Sequence, residues 1–369
     1  MTELAWLDEI PLRRMLEPGL ETHVALPPGD RPLVEPGGVV QPGDPLLEHV
    51  RDRRIEEVEI PAGKADGPSA GDAAGSARGA DRPPAGGADS PSSGAGDRLQ
   101  AGSRWTSIPG RRRRQEEQVD GELLAPVPGH RGRWRLVTGD HRVLVASPVG
   151  GVVTGVRPGA EIRLRVDGLA LRGAFATGAS ARGRLELATD PFGDLRPGGI
   201  DVGRTGSILV VGSRIDAEAL TRARAMGVHG IVVASLAGKD LRDFQASERR
   251  QRAALHPAQP FGVLALDGSL RRPIAAPVMD LFERLAGRDV ALLVDPPALV
   301  FDAEGLDLPD VPPDWVRVRS GPNAGSEGRV LGLVGLRRFA AGVHLETARV
   351  ILDGEPAIDV PLGDLERLA

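Results

Sequence analysis

The sequence predicts a multidomain α+β protein of 369 residues. It reads as an N-terminal β barrel or sandwich broken by a disordered insertion, a central small parallel α/β sheet, and a compact C-terminal β unit. Three observations lead there. Between Gly206 and Asp295 short β-branched runs alternate with helix-like segments. Toward the N-terminus, very short hydrophobic stretches are separated by Pro-Gly turns. Between Gly63 and about Glu117 the composition shifts to Gly, Pro, Ala, Ser and Asp, too poor in apolar surface to offset the entropy of ordering. The boundaries that follow are an N-terminal segment at 1–19, a β domain at 20–195 with a disordered insertion at 62–121, an α/β domain at 196–305, and a C-terminal domain at 312–369.

Composition limits the chemistry. No cysteine is present, which removes disulfides, thiolate nucleophiles, iron–sulfur clusters and the usual structural zinc sites. The seven histidines are scattered, with no pair at a metal-ligand spacing, so no metal or cofactor is expected. Only Lys64 and Lys239 are lysines among 46 basic residues, the mark of a GC-rich, bacterial genome, with selection for arginine chemistry as the minor reading. A formal net charge of -5 argues against a chain that wraps nucleic acid over its whole surface. Residues 1–15 carry Glu3, Asp8 and Glu9 and form no signal peptide. No run of eighteen apolar residues occurs. The expectation is a cytoplasmic protein without a membrane partner.

Residues 20 to 61 read as short strands punctuated by turns at Pro28-Gly29-Asp30, Pro36-Gly37-Gly38 and Pro42-Gly43-Asp44. The segment from Leu33 to Leu46, together with Ser147 to Ile162, resembles the two half-motifs of the barrel-sandwich hybrid fold of biotinyl and lipoyl carrier domains. The resemblance implies that fold alone. A carrier needs a lysine at its hairpin tip, and Lys64 lies in the insertion while Lys239 lies in the central domain, so no covalent biotin or lipoate is expected. Arg111 to Arg114, followed by Glu116 and Glu117, reads as a solvated charge run rather than a phosphate grip. Trp134 to Leu187 resumes the β pattern, ending in the alternating Arg184-Leu-Glu-Leu187.

In the central domain the expected strands are Ser207 to Val211, Gly230 to Ala234, Phe261 to Leu266 and Val290 to Val294, leaving through Pro296-Pro297. Ser213 with Asp216 fits a helix cap, and Gly227 a helix end. Loops after successive parallel strands gather at the carboxyl edge of a sheet, where open α/β folds bind ligands. That edge would carry Ser213, Arg214, Ser235, Lys239 and Asp267, a set suited to a nucleotide or another anion. The phosphate-loop pattern is missing, since Val233 stands where glycine is required and Asp240 where Ser or Thr would hold the metal. The helical stretch Leu241 to Leu255, with Arg242, Arg249, Arg250 and Arg252, reads as mostly exposed.

At the C-terminus, Trp315-Val-Arg-Val-Arg-Ser-Gly-Pro-Asn-Ala-Gly-Ser-Glu-Gly-Arg-Val330 resembles the KOW motif of ribosomal proteins and NusG-type transcription factors, with its glycine at Gly328. The resemblance continues through Ala348 to Gly354 and Ile358 to Leu365, and it implies an SH3-like β barrel that binds RNA, ribosomal proteins or RNA polymerase. Gly354 after Asp353 suits a hairpin turn. Candidate contacts are Arg317, Arg319, Asn323, Arg329, Arg337 and Arg338, the last two on a loop before Phe339. From Asp314 onward seven arginines face eight acids, which gives little attraction for phosphate. A protein partner in the transcription or translation machinery is therefore expected ahead of RNA. Three functional readings stand: a non-enzymatic adaptor docking through its KOW domain, a small-molecule-binding protein or enzyme using the sheet edge, or a structural subunit whose modules pack together in a larger assembly. The adaptor reading expects that deleting Asp314 to Ala369 leaves the remainder folded.

Overall fold

The computed structural model describes residues 5–49, 54–59, 104–106, 120–127, 133–138, 143–253, 260–340, 342–352 and 356–369. The described chain is mostly β, with three α-helices. It divides into two compact units, one formed by Met1–Pro28, Pro32–Leu47 and Ala146–Ala369, the other by Gly29–Arg31 and Glu48–Val145. No helix among the described residues is long and apolar enough to cross a membrane.

The larger unit is built around the strand Ser207–Ile215. Its side chains alternate between two cores, as the two-residue period of a strand requires. Ile208 and Val210 enter one, Leu209 and Val211 the other. Helix α1 (Ala217–Ala225) and helix α2 (Gly238–Ala253) cover the second core with Ala219, Leu220, Ala223 and Phe244. Helix α3 (Ala276–Leu285) covers the first with Val278, Met279, Leu281, Phe282 and Leu285. Burying five side chains of that size is worth on the order of 10 kcal/mol before entropy is counted, which holds a ten-residue helix that could not persist alone.

The sheet is larger and more mixed than the four parallel strands expected. Ala181–Leu187, Ser207–Ile215, Gly230–Ser235 and Gly262–Ala265 run parallel in that order. Asp289–Leu293, expected as the fourth parallel strand, runs antiparallel to Ala181–Leu187 and turns at residues 294–297 into Ala298–Phe301. Pro296-Pro297 is thus a hairpin turn and not a domain exit. The sheet continues through Leu169–Arg172 to Leu16–Pro18, and Phe175–Gly178 closes its other side. Segments assigned from sequence to the N-terminal segment and the first β domain therefore belong to the central sheet. Their alternating pattern is that of any half-buried strand and carries no record of its neighbours.

The remainder of this unit holds an antiparallel sheet of Glu21–Ala25, Glu161–Val166, Gly151–Arg157 and Val39–Val40, the region likened to a barrel-sandwich. It also holds a six-stranded sheet. There the parallel pair Leu12–Arg13 and Leu365–Leu368 is followed by Trp315–Val318, Glu327–Arg338, His344–Leu352 and Ile358–Pro361. The described strands do not close into a barrel in either place. Leu7 and Ile10 from the N-terminal segment complete the core of the six-stranded sheet with Val316, Val318, Ala348, Val350 and Leu365.

The smaller unit is an antiparallel sheet in the order Arg54–Glu59, Arg133–Thr138, Asp120–Pro126, Arg104–Thr106. Arg104–Thr106 falls inside the insertion expected to be disordered, where Trp105 and Thr106 interrupt the Gly-Ala-Pro composition with β-forming residues. Lys64, the Arg111 to Arg114 run and Gly354 lie outside the described residues.

Candidate functional site

The carboxyl edge of the parallel strands is closed by its own polar groups. Ser213 is buried in the strand, and its hydroxyl is shared between the Phe192 carbonyl at 2.9 Å and Asp194 Oδ1 at 2.8 Å. Arg271 fastens the same point, donating to Asp194 Oδ2 at 2.9 Å and to Ser213 Oγ at 3.3 Å. Ser235 Oγ donates to the Ser213 carbonyl at 2.7 Å. The loop over this edge approaches so closely that a Cβ on Gly212 would stand 2.1 Å from the Asp190 carbonyl oxygen. Helix α1 is capped by Asp216, which accepts from the Ala219 amide at 2.7 Å, and not by Ser213 as the spacing suggested.

The other three edge candidates diverge. Arg214 pairs with Asp240 in the first turn of α2 at 3.0 Å. Asp267 is turned into the interior, where Arg13 Nη1 reaches Oδ1 at 2.7 Å and Arg317 Nη1 reaches Oδ2 at 2.8 Å. Lys239 is exposed, as Arg214 is, but has no ion pair among the described residues. No hydroxyl here is paired with a free base, and no described group of three His, Asp or Glu residues could hold a metal ion. The long helix α2 is half-buried through Phe244, with Lys239, Arg242, Asp243 and Arg249 exposed.

An open cleft of about 550 Å³ lies at the opposite, amino edge of the sheet. Arg182, Arg184, Glu186, Thr205, Ser207 and Asp289 line it. Most of these groups satisfy one another: Arg182 pairs with Asp289 at 3.0 Å, Ser207 Oγ donates to Glu186 Oε1 at 2.5 Å, and Thr205 Oγ1 donates to the Val202 and Met226 carbonyls. Sequence reasoning missed this place because it put Ala181–Leu187 in another domain.

The C-terminal candidates do not form one patch. Arg317 is 1% exposed, donates to Asp267 and to the Pro273 carbonyl at 2.5 Å, and lies 3.7 Å from Glu366 and 3.9 Å from Glu327. Its role is structural, because a guanidinium withdrawn from solvent cannot meet a phosphate. Glu327 in turn accepts from the Ala276 amide at the start of α3, at 3.0 and 3.1 Å. Arg319 is half-exposed beside Glu366 at 4.0 Å, and Arg329 is exposed beside Asp314 at 3.7 Å. Asn323 sits in the turn before Glu327, its carbonyl accepting from Ser326 N at 3.0 Å.

Arg337 and Arg338 end the strand Glu327–Arg338 instead of occupying a loop. They stand on the order of 25 Å along it from Arg329 at about 3.3 Å per residue. Arg337 reaches Asp359 at 3.2 Å, and Arg349 grips the same carboxylate at 2.9 and 3.3 Å. Those Arg349 hydrogen bonds, then the charges of Arg349 and Arg337, hold the Asp359 carboxyl below its ordinary value. The same bonds raise Arg349.

The sequence reading also missed what the hairpin Glu327–Arg338 and His344–Leu352 exposes. Leu331, Leu333, Leu336, Val343, Leu345 and Ile351 are all exposed, Leu336 at 66%. The hairpin outruns its neighbours: Trp315–Val318 pairs only as far as Arg329, and Ile358–Pro361 only with Thr347 to Val350. Its distal part is a two-stranded arm. The available signal was Val330-Leu-Gly-Leu-Val-Gly-Leu336, which lacks the polar alternation of a strand with one wet face. No protein-family description and no curated protein sequence matches the chain.

Proposed function

We propose that this chain is a non-enzymatic adaptor that docks on a protein of the transcription or translation machinery through its C-terminal hairpin arm. One observation carries the reading: six large aliphatic side chains stand exposed on a single hairpin. A two-stranded ribbon of this kind is marginal in water by itself, and large apolar side chains left exposed on one element favour an interaction site. The arm's charges favour protein over RNA. Arg337 and Arg349 share Asp359, Arg338 is balanced by Glu346 nearby on the opposite strand, and so little net positive charge is left to attract phosphate.

The KOW resemblance of Trp315 to Val330 supplies the class of partner. The sheet-edge ligand reading draws no support from the geometry, because Ser213, Arg214, Ser235 and Asp267 are all engaged within the chain. The test is affinity purification from the native host after nuclease treatment, comparing the wild type with Leu336→Asp. RNA polymerase or ribosomal proteins should be retained by the wild type and lost from the variant. Equal recovery with both chains would end the proposal.

A further inference from the structure

We infer that the arm also covers itself: two copies of the chain associate arm to arm through the face that carries Leu336. The inference rests on the reading of the arm as a docking surface and names one occupant for it. Along His344–Leu352 the side chains of Ala348, Val350 and Leu352 enter the core of the six-stranded sheet. By strand alternation, Glu346 and His344 continue the same face beyond the core. Their cross-strand neighbours share that face, Leu333 opposite Ala348, Leu336 opposite Glu346 and Arg338 opposite His344. A core-facing surface thus runs out past its core, with Leu333 45% and Leu336 66% exposed.

Contact through this face is favoured over strand addition at the edge. Two register shifts, between Val330 and Gly332 and between Leu333 and Gly335, disrupt Glu327–Arg338 as a template for another strand. The face is complementary to itself. Glu346 stands directly across from Leu336 and Arg338 two residues along its strand, both are exposed, and neither has an ion pair among the described residues. A two-fold axis lying in the plane of the face and passing over Leu336 and His344 seats Leu336 on its own copy. The same axis brings Arg338 of each copy to Glu346 of the other, an isologous arrangement. Each copy would bury on the order of 500 Å², the low end for a specific interface, so the dimer is weak and concentration-dependent.

Sedimentation equilibrium of the purified full-length chain tests this. The wild type should pass from one chain to two as concentration rises. Leu336→Asp should weaken association at least tenfold. Arg338→Glu and Glu346→Arg should each do the same, by placing like charges face to face. The double variant R338E/E346R should return to within about threefold of wild type, an outcome that a general loss of folding or a nonspecific apolar contact would not produce. Far-UV circular dichroism checks that each variant is folded. A wild type that stays monomeric at all concentrations, or a double variant no better than the singles, overturns the dimer. Partner capture by a monomeric wild type would leave the docking proposal intact, whereas a charge-reversible dimer that captures no partner would remove docking alone.

Discussion

Arg317 Nη1 lies 2.8 Å from Asp267 Oδ2, and this contact joins the six-stranded C-terminal sheet to the central sheet. Both side chains are nearly inaccessible, at 1% and 6%, and Arg13 completes the cluster from the strand that pairs with Leu365–Leu368. A buried ion pair gives little net stability when formed, since desolvation offsets attraction, but removing one partner strands the other. Arg317→Met should therefore cost about 3–5 kcal/mol, read as a shift in the denaturation midpoint. Double replacement with Asp267→Asn should cost less than the sum of the two single changes.

Removal of residues 314–369 follows from the same geometry. The sequence presents this region as a separable domain, and separability predicts a folded remainder. The truncated chain would instead lose Arg317 from Asp267, Glu327 from the first amide of α3, and Leu368 and Trp315 from the core beneath α3. It should lose cooperative unfolding by calorimetry. A sharp transition near the full-length temperature would show that the two sheets are independent.

Gly328 makes a more local prediction. A Cβ at this position would stand 2.0 Å from the Ile351 carbonyl oxygen and 2.8 Å from the Leu352 Cα, both backbone atoms that cannot swing aside. Gly328→Ala should destabilise by about 1–3 kcal/mol or more, whereas Gly332→Ala, where nothing lies within 4 Å, should be tolerated.

The fold was legible in parts. Strands with β-branched runs, Ser207–Ile215 and Gly230–Ser235 above all, declare themselves because burial on both faces selects a near-continuous apolar run, Ile208 to Val211 in one and Ile231 to Ala234 in the other. Strand direction did not, since Asp289–Leu293 reads identically whichever way it runs. Arg317 was misjudged for a related reason. Its position in an alternating strand says which side it faces, but the carboxylates that draw it inward come from Asp267 and Glu366, far away in sequence. Among the proposed edge residues, hydroxyls and charges of suitable type were present, yet Asp194 and Arg271, which engage Ser213, had no signature in the sequence.

Asp359 gives a prediction in pH. Its carboxyl is held below the ordinary aspartate value by the Arg349 hydrogen bonds, so the folded form binds its proton less readily than the unfolded form. The contribution is present above the unfolded value of about 3.9 and is lost as pH falls through the folded value. In Arg349→Ala the Asp359 titration, followed by carboxyl-carbon NMR, should move back up toward that ordinary value. An unchanged titration would mean that Arg337 alone sets it.

The strand Leu12–Arg13 lies parallel to Leu365–Leu368, with Leu12 beside Arg367. During synthesis Leu12 must wait for residues more than three hundred positions later, on the order of 20–70 s at elongation rates of about 5–20 residues per second. For that interval Leu7 and Ile10 have no sheet to enter. Closing so long a loop adds only slowly to the entropic cost but delays the contact until residues 365–368 have been made. The six-stranded sheet is therefore completed only after residues 365–368 emerge, and until then the nascent chain carries an unpaired strand and two uncovered aliphatic side chains.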